Sequence, residues 1–177
     1  MNYGRLVGNR IPKDYFVTTG KGESDITVHA GSYHLALRNA GIEMCNIMAY
    51  SSILPRIANR VDRPKLVHGS VMETISAVST AEKGERATAA IIYGWLFDKS
   101  TSERYGGLVC EYNGSLTVEN ASVQLKESLN ELYTNGYSER FRLEDISLFT
   151  ESFVPEKKFG TALVALCFTS YVFPELD

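Results

Sequence analysis

The residues of this sequence whose types permit chemistry are the serine pair Ser51-Ser52, Asn46 upstream of it, and Glu111 inside an apolar run. A serine hydroxyl can act on its own backbone. Oγ of Ser52 can attack the Ser51 carbonyl and turn the amide into an ester. Elimination of that ester leaves dehydroalanine, which water converts to a pyruvoyl group and ammonia. The attack needs a donor at the developing oxyanion, and a side-chain amide such as that of Asn46 is suitable. The same dipeptide also occurs in ordinary strand-to-turn junctions, so the residues alone leave both readings open. Glu111 lies in Leu108-Val109-Cys110-Glu111-Tyr112, where a period of two gives it the face of Val109. A carboxylate on an apolar face must be paired or protonated. Burial raises a carboxyl pKa, which would make Glu111 a proton donor near neutral pH. The alternative is a strand-end glutamate reaching solvent.

Other candidates are weaker. Gly20-Lys21-Gly22-Glu23-Ser24 lacks the spacing of a phosphate loop and carries an acid where phosphate would approach, so it reads as a glycine-rich turn. Cys45, Cys110 and Cys167 are far apart and odd in number, which suggests reduced thiols of a cytoplasmic protein. His29, His34 and His68 lack ligand spacing, and no metal is expected. A net charge of −3 gives no electrostatic footprint for nucleic acid. No run approaches the roughly 18 apolar residues of a membrane span, and the first residues do not read as a secretory signal.

The elements that must position these residues are legible in outline. The chain has 177 residues, enough for one domain with a substantial core. Tyr15 to Thr19 reads as a strand ended by the loop from Gly20 to Asp25. Ser32 is a candidate cap for a helix holding Leu35, Ala36, Leu37 and Ala40, with Gly41 as its stop. Strands are expected over 70–79, 87–97 and 108–112, the last closed by the turn Asn113-Gly114. Thr117 caps the clearest helix, whose stripe is Ala121, Leu125, Leu129 and Leu132 with Tyr133, ended by Asn135-Gly136. Residues 160–173 supply a last buried strand. Strands apolar on both faces, with two helices, give an α+β layered fold.

Three blocks in order, Asn39-Ala40-Gly41-Ile42, Cys45-Asn46-Ile47 and Ser51-Ser52-Ile53-Leu54-Pro55, resemble the pyruvoyl-dependent arginine decarboxylases. The likeness continues at Pro64-Lys65-Leu66 and at Gly107-Leu108-Val109-Cys110-Glu111-Tyr112-Asn113-Gly114. It implies a four-layer αββα sandwich, made as a self-cleaving proenzyme and assembled as a homotrimer with sites between subunits. Ser51 would end a fragment 1–51, and Ser52 would become the pyruvoyl cap of fragment 52–177. Asn46 matches the family's processing asparagine and Glu111 its glutamate acid. The implied reaction converts L-arginine to agmatine and carbon dioxide, with the pyruvoyl group as electron sink in place of pyridoxal. Archaeal members carry an aspartate on the helix before the N-A-G-I block, where it meets the guanidinium. Here Gly31-Ser32-Tyr33-His34-Leu35-Ala36-Leu37 has no acid, so Asp25 or Glu23 is expected to reach in, with His34 in the helix position. The pattern is closer to a bacterial subgroup. The competing readings are a pyruvoyl decarboxylase of another amino acid, and a trimeric scaffold or binding protein that is not processed.

Overall fold

The computed structural model describes residues 7–175. Strand β1 (Ile11–Pro12) is followed by β2, which runs from Asp14 to Ser24 without the turn expected at Gly20. The two glycines serve a different purpose. A Cβ on Gly20 would stand 2.2 Å from the Ala36 carbonyl oxygen, and one on Gly22 would stand 2.5 Å from Ala36 N and Ser32 O. They let a helix backbone lie directly on the strand. That helix is α1 (His34–Ala40), entered through a π-helical turn over Val28–Tyr33. Gly41 ends it in the left-handed conformation, φ 71°. Ser32 is not the cap. It is buried in the π-helical turn, and its hydroxyl bonds that of Thr161 at 2.8 Å.

The chain continues through β3 (Asn46–Ala49), β4 (Ile53–Pro55), β5 (Asn59–Arg60), β6 (Val71–Glu82), β7 (Ala87–Asp98) and β8 (Arg104–Gly114). Helix α2 (Val118–Gly136) is capped by Thr117, whose side chain accepts from Asn120 N. Glu119 has its carboxyl held below the usual range by its own N–H and by Thr117. The stripe Ala121, Leu125 and Leu129 is buried, but Leu132 is 42% exposed. Strand β9 (Phe141–Phe153) was not expected, because its sequence alternates weakly and most of its residues are partly exposed. Strand β10 (Phe159–Phe168) stops short of the expected span, and the separate β11 (Tyr171–Val172) pairs with β1.

Two larger sheets form the body, one ordered β3-β6-β10-β2-β5 and the other β4-β8-β7-β9. Among the described residues the chain is thus α+β, mostly strand with few helices. The central apolar cluster, including Ile75, Ile91, Val109, Val164 and Leu166, draws on both sheets. A second cluster packs Ala36, Leu37 and Ala40 of α1 on Phe16 and Leu163; a third packs Leu125 and Leu129 of α2 on Ile92 and Leu108. This explains why β7 and β10 are apolar on both faces, each covered by a helix and by the other sheet. Among the described residues no helix is long and apolar enough to cross a membrane.

Candidate active site

Strands β3 and β4 belong to different sheets, and only Tyr50, Ser51 and Ser52 lie between them. Tyr50 N–H donates to the Thr74 carbonyl of the first sheet at 2.7 Å, and Val109 N–H of the second donates to the Ser52 carbonyl at 3.2 Å. The Ser51–Ser52 peptide bond is therefore the crossing between the sheets, anchored on both sides. Ile53 N–H donates to the Ser51 carbonyl oxygen at 3.0 Å. A main-chain amide thus polarises the carbonyl that Ser52 would attack, and it is a donor of the kind such an oxyanion requires.

The hydroxyl of Ser52 donates to the Glu111 carboxylate, at 2.6 Å to Oε1 and 2.8 Å to Oε2. The shorter of the two falls in the range of a charge-assisted hydroxyl–carboxylate bond. Glu111 is opposite Ile91 in the β7–β8 register, on the face of Val109, with both neighbours in the core between the sheets. Glu111 is half-buried, and its carboxylate is bonded to the Ser52 hydroxyl rather than standing free at the strand end. Cys110, next along the strand, has its thiol pushed up by burial and then by the Glu111 charge. It stays protonated and packs toward α2.

The remaining expected site residues are elsewhere in the chain. Asn46 is at the start of β3, and Ser52 follows six residues later, up to about 20 Å of extended backbone. The Asn46 amide donates to the Gly69 carbonyl at 2.9 Å, and among the described residues no hydrogen bond joins it to Ser51. It lines an open cleft of about 630 Å³ with His29, Tyr33, His34, Leu37 and Cys45. His29 stacks on Tyr33 at 5.9 Å, and burial pushes the Tyr33 hydroxyl up. His34 is exposed on this cleft. Glu23 and Asp25 are instead at the far end of β2. Glu23 Oε2 accepts from Glu156 N and Lys157 N at 2.7 and 3.1 Å, and Asp25 Oδ1 accepts from Lys158 N at 3.2 Å. They hold the turn that leads into β10.

The residues around Ser52 fit a pyruvoyl group made from that serine: a carboxylate on its hydroxyl and a main-chain amide on the carbonyl that precedes it. Sequence reasoning missed the Ile53 amide, because a main-chain donor carries no residue signature. It also missed His29 and Tyr33, which only the π-helical turn brings onto one cleft.

Residues 14–173 match the pyruvoyl-dependent arginine decarboxylase family. The chain is similar to the pyruvoyl-dependent arginine decarboxylase AaxB of Chlamydia abortus, at 31% identity over 93% of this chain and 94% of that protein. It is 32% identical to the AaxB protein of Chlamydia pneumoniae over the same shares. The pyruvoyl-dependent arginine decarboxylase of Methanocaldococcus jannaschii is 31% identical over 67% of this chain and 68% of its own length.

Proposed function

This chain belongs to the pyruvoyl-dependent arginine decarboxylase family, and we propose that it cuts itself between Ser51 and Ser52 and then decarboxylates L-arginine to agmatine. The observation that carries the reading is the pairing of the Ser52 hydroxyl with Glu111 beside a scissile carbonyl already bonded to Ile53 N–H. Glu111 takes the Oγ proton as Oγ adds to the Ser51 carbon. The C–N bond breaks, the Ser52 nitrogen gains a proton, and an ester remains. Loss of the Ser52 α-proton and cleavage of its Cβ–Oγ bond release Ser51 as a carboxylate that keeps Oγ, and leave dehydroalanine at position 52. Water then replaces nitrogen at the α-carbon, ammonia leaves, and fragments 1–51 and 52–177 result.

The pyruvoyl group supplies an electron sink for the carboxyl-derived electrons. The chain's own residues do the rest. Glu111, facing the core between the sheets, holds the proton that the product's α-carbon must receive. The cleft of His29, Tyr33, His34 and Asn46 receives the substrate's side chain, with a planar guanidinium against the stacked His29–Tyr33 pair. Because Asn46 and Ser52 are separated within one chain, a second copy brings the cleft to Ser52, in line with a trimer of cytoplasmic, four-layer αββα protomers. Two helices lying on the outer faces of two stacked sheets support that layering. Glu23 and Asp25 act on the guanidinium only if the assembly brings them in, since each already anchors main-chain amides.

One observation favours a second reading, a different amino acid as substrate: among the described residues, none that lines the cleft is a carboxylate. Intact mass tests the cleavage, and two fragments that sum to the chain with Ser52 converted are expected. Product assays on arginine, lysine, ornithine and histidine then test the substrate. Agmatine formation at normal efficiency in both Asp25→Asn and Glu23→Gln assigns recognition to the cleft, and a preference for another amino acid overturns the arginine assignment.

A further inference from the structure

Strand β6 grips the residues just before the scissile bond. Met48 pairs with Glu73 and Ala49 with Thr74 in the parallel β3–β6 register. Tyr50 N–H bonds the Thr74 carbonyl, and the Thr74 hydroxyl donates to the Met48 carbonyl at 3.4 Å. Glu73 shares its face with Ile75 and Ala77, which belong to the core between the sheets, and its side chain is 2% exposed. A carboxylate in that position is tolerated only with a counter-charge. Arg10, from the segment before β1, supplies it by pairing with Glu73 Oε1 while its guanidinium lies 5.5 Å from the Tyr171 ring centre. The Tyr171 hydroxyl is pushed up to about 12, chiefly by burial, so it stays neutral and adds no competing charge. Glu73 Oε2 is buried without a hydrogen-bond partner, which leaves Arg10 as the ion-pair partner of this group among the described residues.

We propose that the Arg10–Glu73 pair is a positioning device for self-cleavage. It neutralises the buried carboxylate that faces Met48 in register, and so fixes the path of residues 48–50 into the Ser51 carbonyl. Neither residue touches the reacting atoms; both act through the grip of β6 on β3 and Tyr50. The pair also joins the two fragments, since Arg10 precedes the cut and Glu73 follows it. This role rests on the self-cleavage reading above.

The test follows self-cleavage of freshly made precursor by intact mass, with melting curves as a control on folding. Arg10→Met leaves a buried charge unpaired and is expected to slow cleavage by about one to two orders of magnitude. Glu73→Gln removes the charge that needed neutralising and should change the rate by less than about threefold, because truncating both partners costs less than orphaning one. The double variant Arg10→Met, Glu73→Gln should therefore recover the rate of Glu73→Gln. A merely structural contribution would make the rate losses track the losses in melting temperature across the three variants, whereas a positioning role slows Arg10→Met at temperatures where its melting curve shows it fully folded. Cleavage of Arg10→Met at the wild-type rate, or a double variant as slow as Arg10→Met, overturns the proposal. If Arg10→Met does not fold, the comparison of the double variant with Glu73→Gln still decides, as equal rates support the role and a slower double variant refutes it. A wild-type chain that never cleaves removes the self-cleavage reading and this role together.

Discussion

Replacing Glu111 by Gln changes the group on the Ser52 hydroxyl while keeping its size. In the native chain one hydroxyl proton faces two carboxylate oxygens at 2.6 and 2.8 Å. Glutamine retains one acceptor oxygen, so the hydroxyl can still be bonded, but the acceptor is neutral and cannot take the proton. Losing a charge-assisted bond in favour of a neutral one costs stability about 1 kcal/mol, a shift of a few degrees in melting temperature for a chain of this size. The rate effect is larger. A positioned general base contributes about 10²- to 10⁴-fold, so self-cleavage should slow at least about a hundredfold while the fold survives. Intact mass against time on freshly purified precursor measures this directly. Whatever fraction cleaves is then assayed for agmatine, where a further loss is expected because the same carboxyl returns the proton to the product. Cleavage of Glu111→Gln within about threefold of the wild-type rate, in a folded chain, would refute the assignment of Glu111 as base. Normal turnover by its cleaved fraction would remove it from decarboxylation.

Ser52→Ala should give one intact, folded and inactive chain, and two fragments on a denaturing gel would defeat the proposed cleavage site. Gly22→Ala places a Cβ 2.5 Å from two backbone atoms of the helical segment, Ala36 N and Ser32 O. Neither can move without shifting α1, so a loss of about 3 kcal/mol or more is expected in denaturant titrations. The Asp98 carboxyl is held well below the usual carboxylate range by the Ser100 hydroxyl and then the Arg140 guanidinium. A lowered folded-state pKa stabilises the fold above the unfolded value near about 4 and is lost as pH falls through that region. Asp98→Asn should therefore flatten the acid limb of the stability profile between about pH 4 and 2 while changing activity little, and an unchanged acid limb would exclude Asp98 as its source.

The sequence by itself determined the serine pair, the carboxylate that meets it, and the long strands other than β9. Ser51-Ser52 and Glu111 are legible because hydroxyl and carboxylate chemistry belongs to residue types, and because period-two alternation already gave Glu111 the buried face of Val109. The capped helix α2 was equally plain, since Thr117 and the Ala121–Leu125–Leu129 stripe are local signals. Tertiary structure decided what depends on a partner surface. Gly20 and Gly22 look like a turn in sequence, yet they are strand residues because a helix backbone rests on them. Ser32 looks like a cap, yet it is consumed by Thr161 of a strand far along the chain. Strand β9 is weakly patterned alone and is specified by its pairing with β7. Glu73 carries the same signal as Glu111, a carboxylate on an apolar strand face, but the arginine that neutralises it comes from 63 residues away. The donor on the Ser51 carbonyl is a main-chain N–H, identical in every residue but proline. Only the crossing between two sheets turns it toward the Ser51 carbonyl.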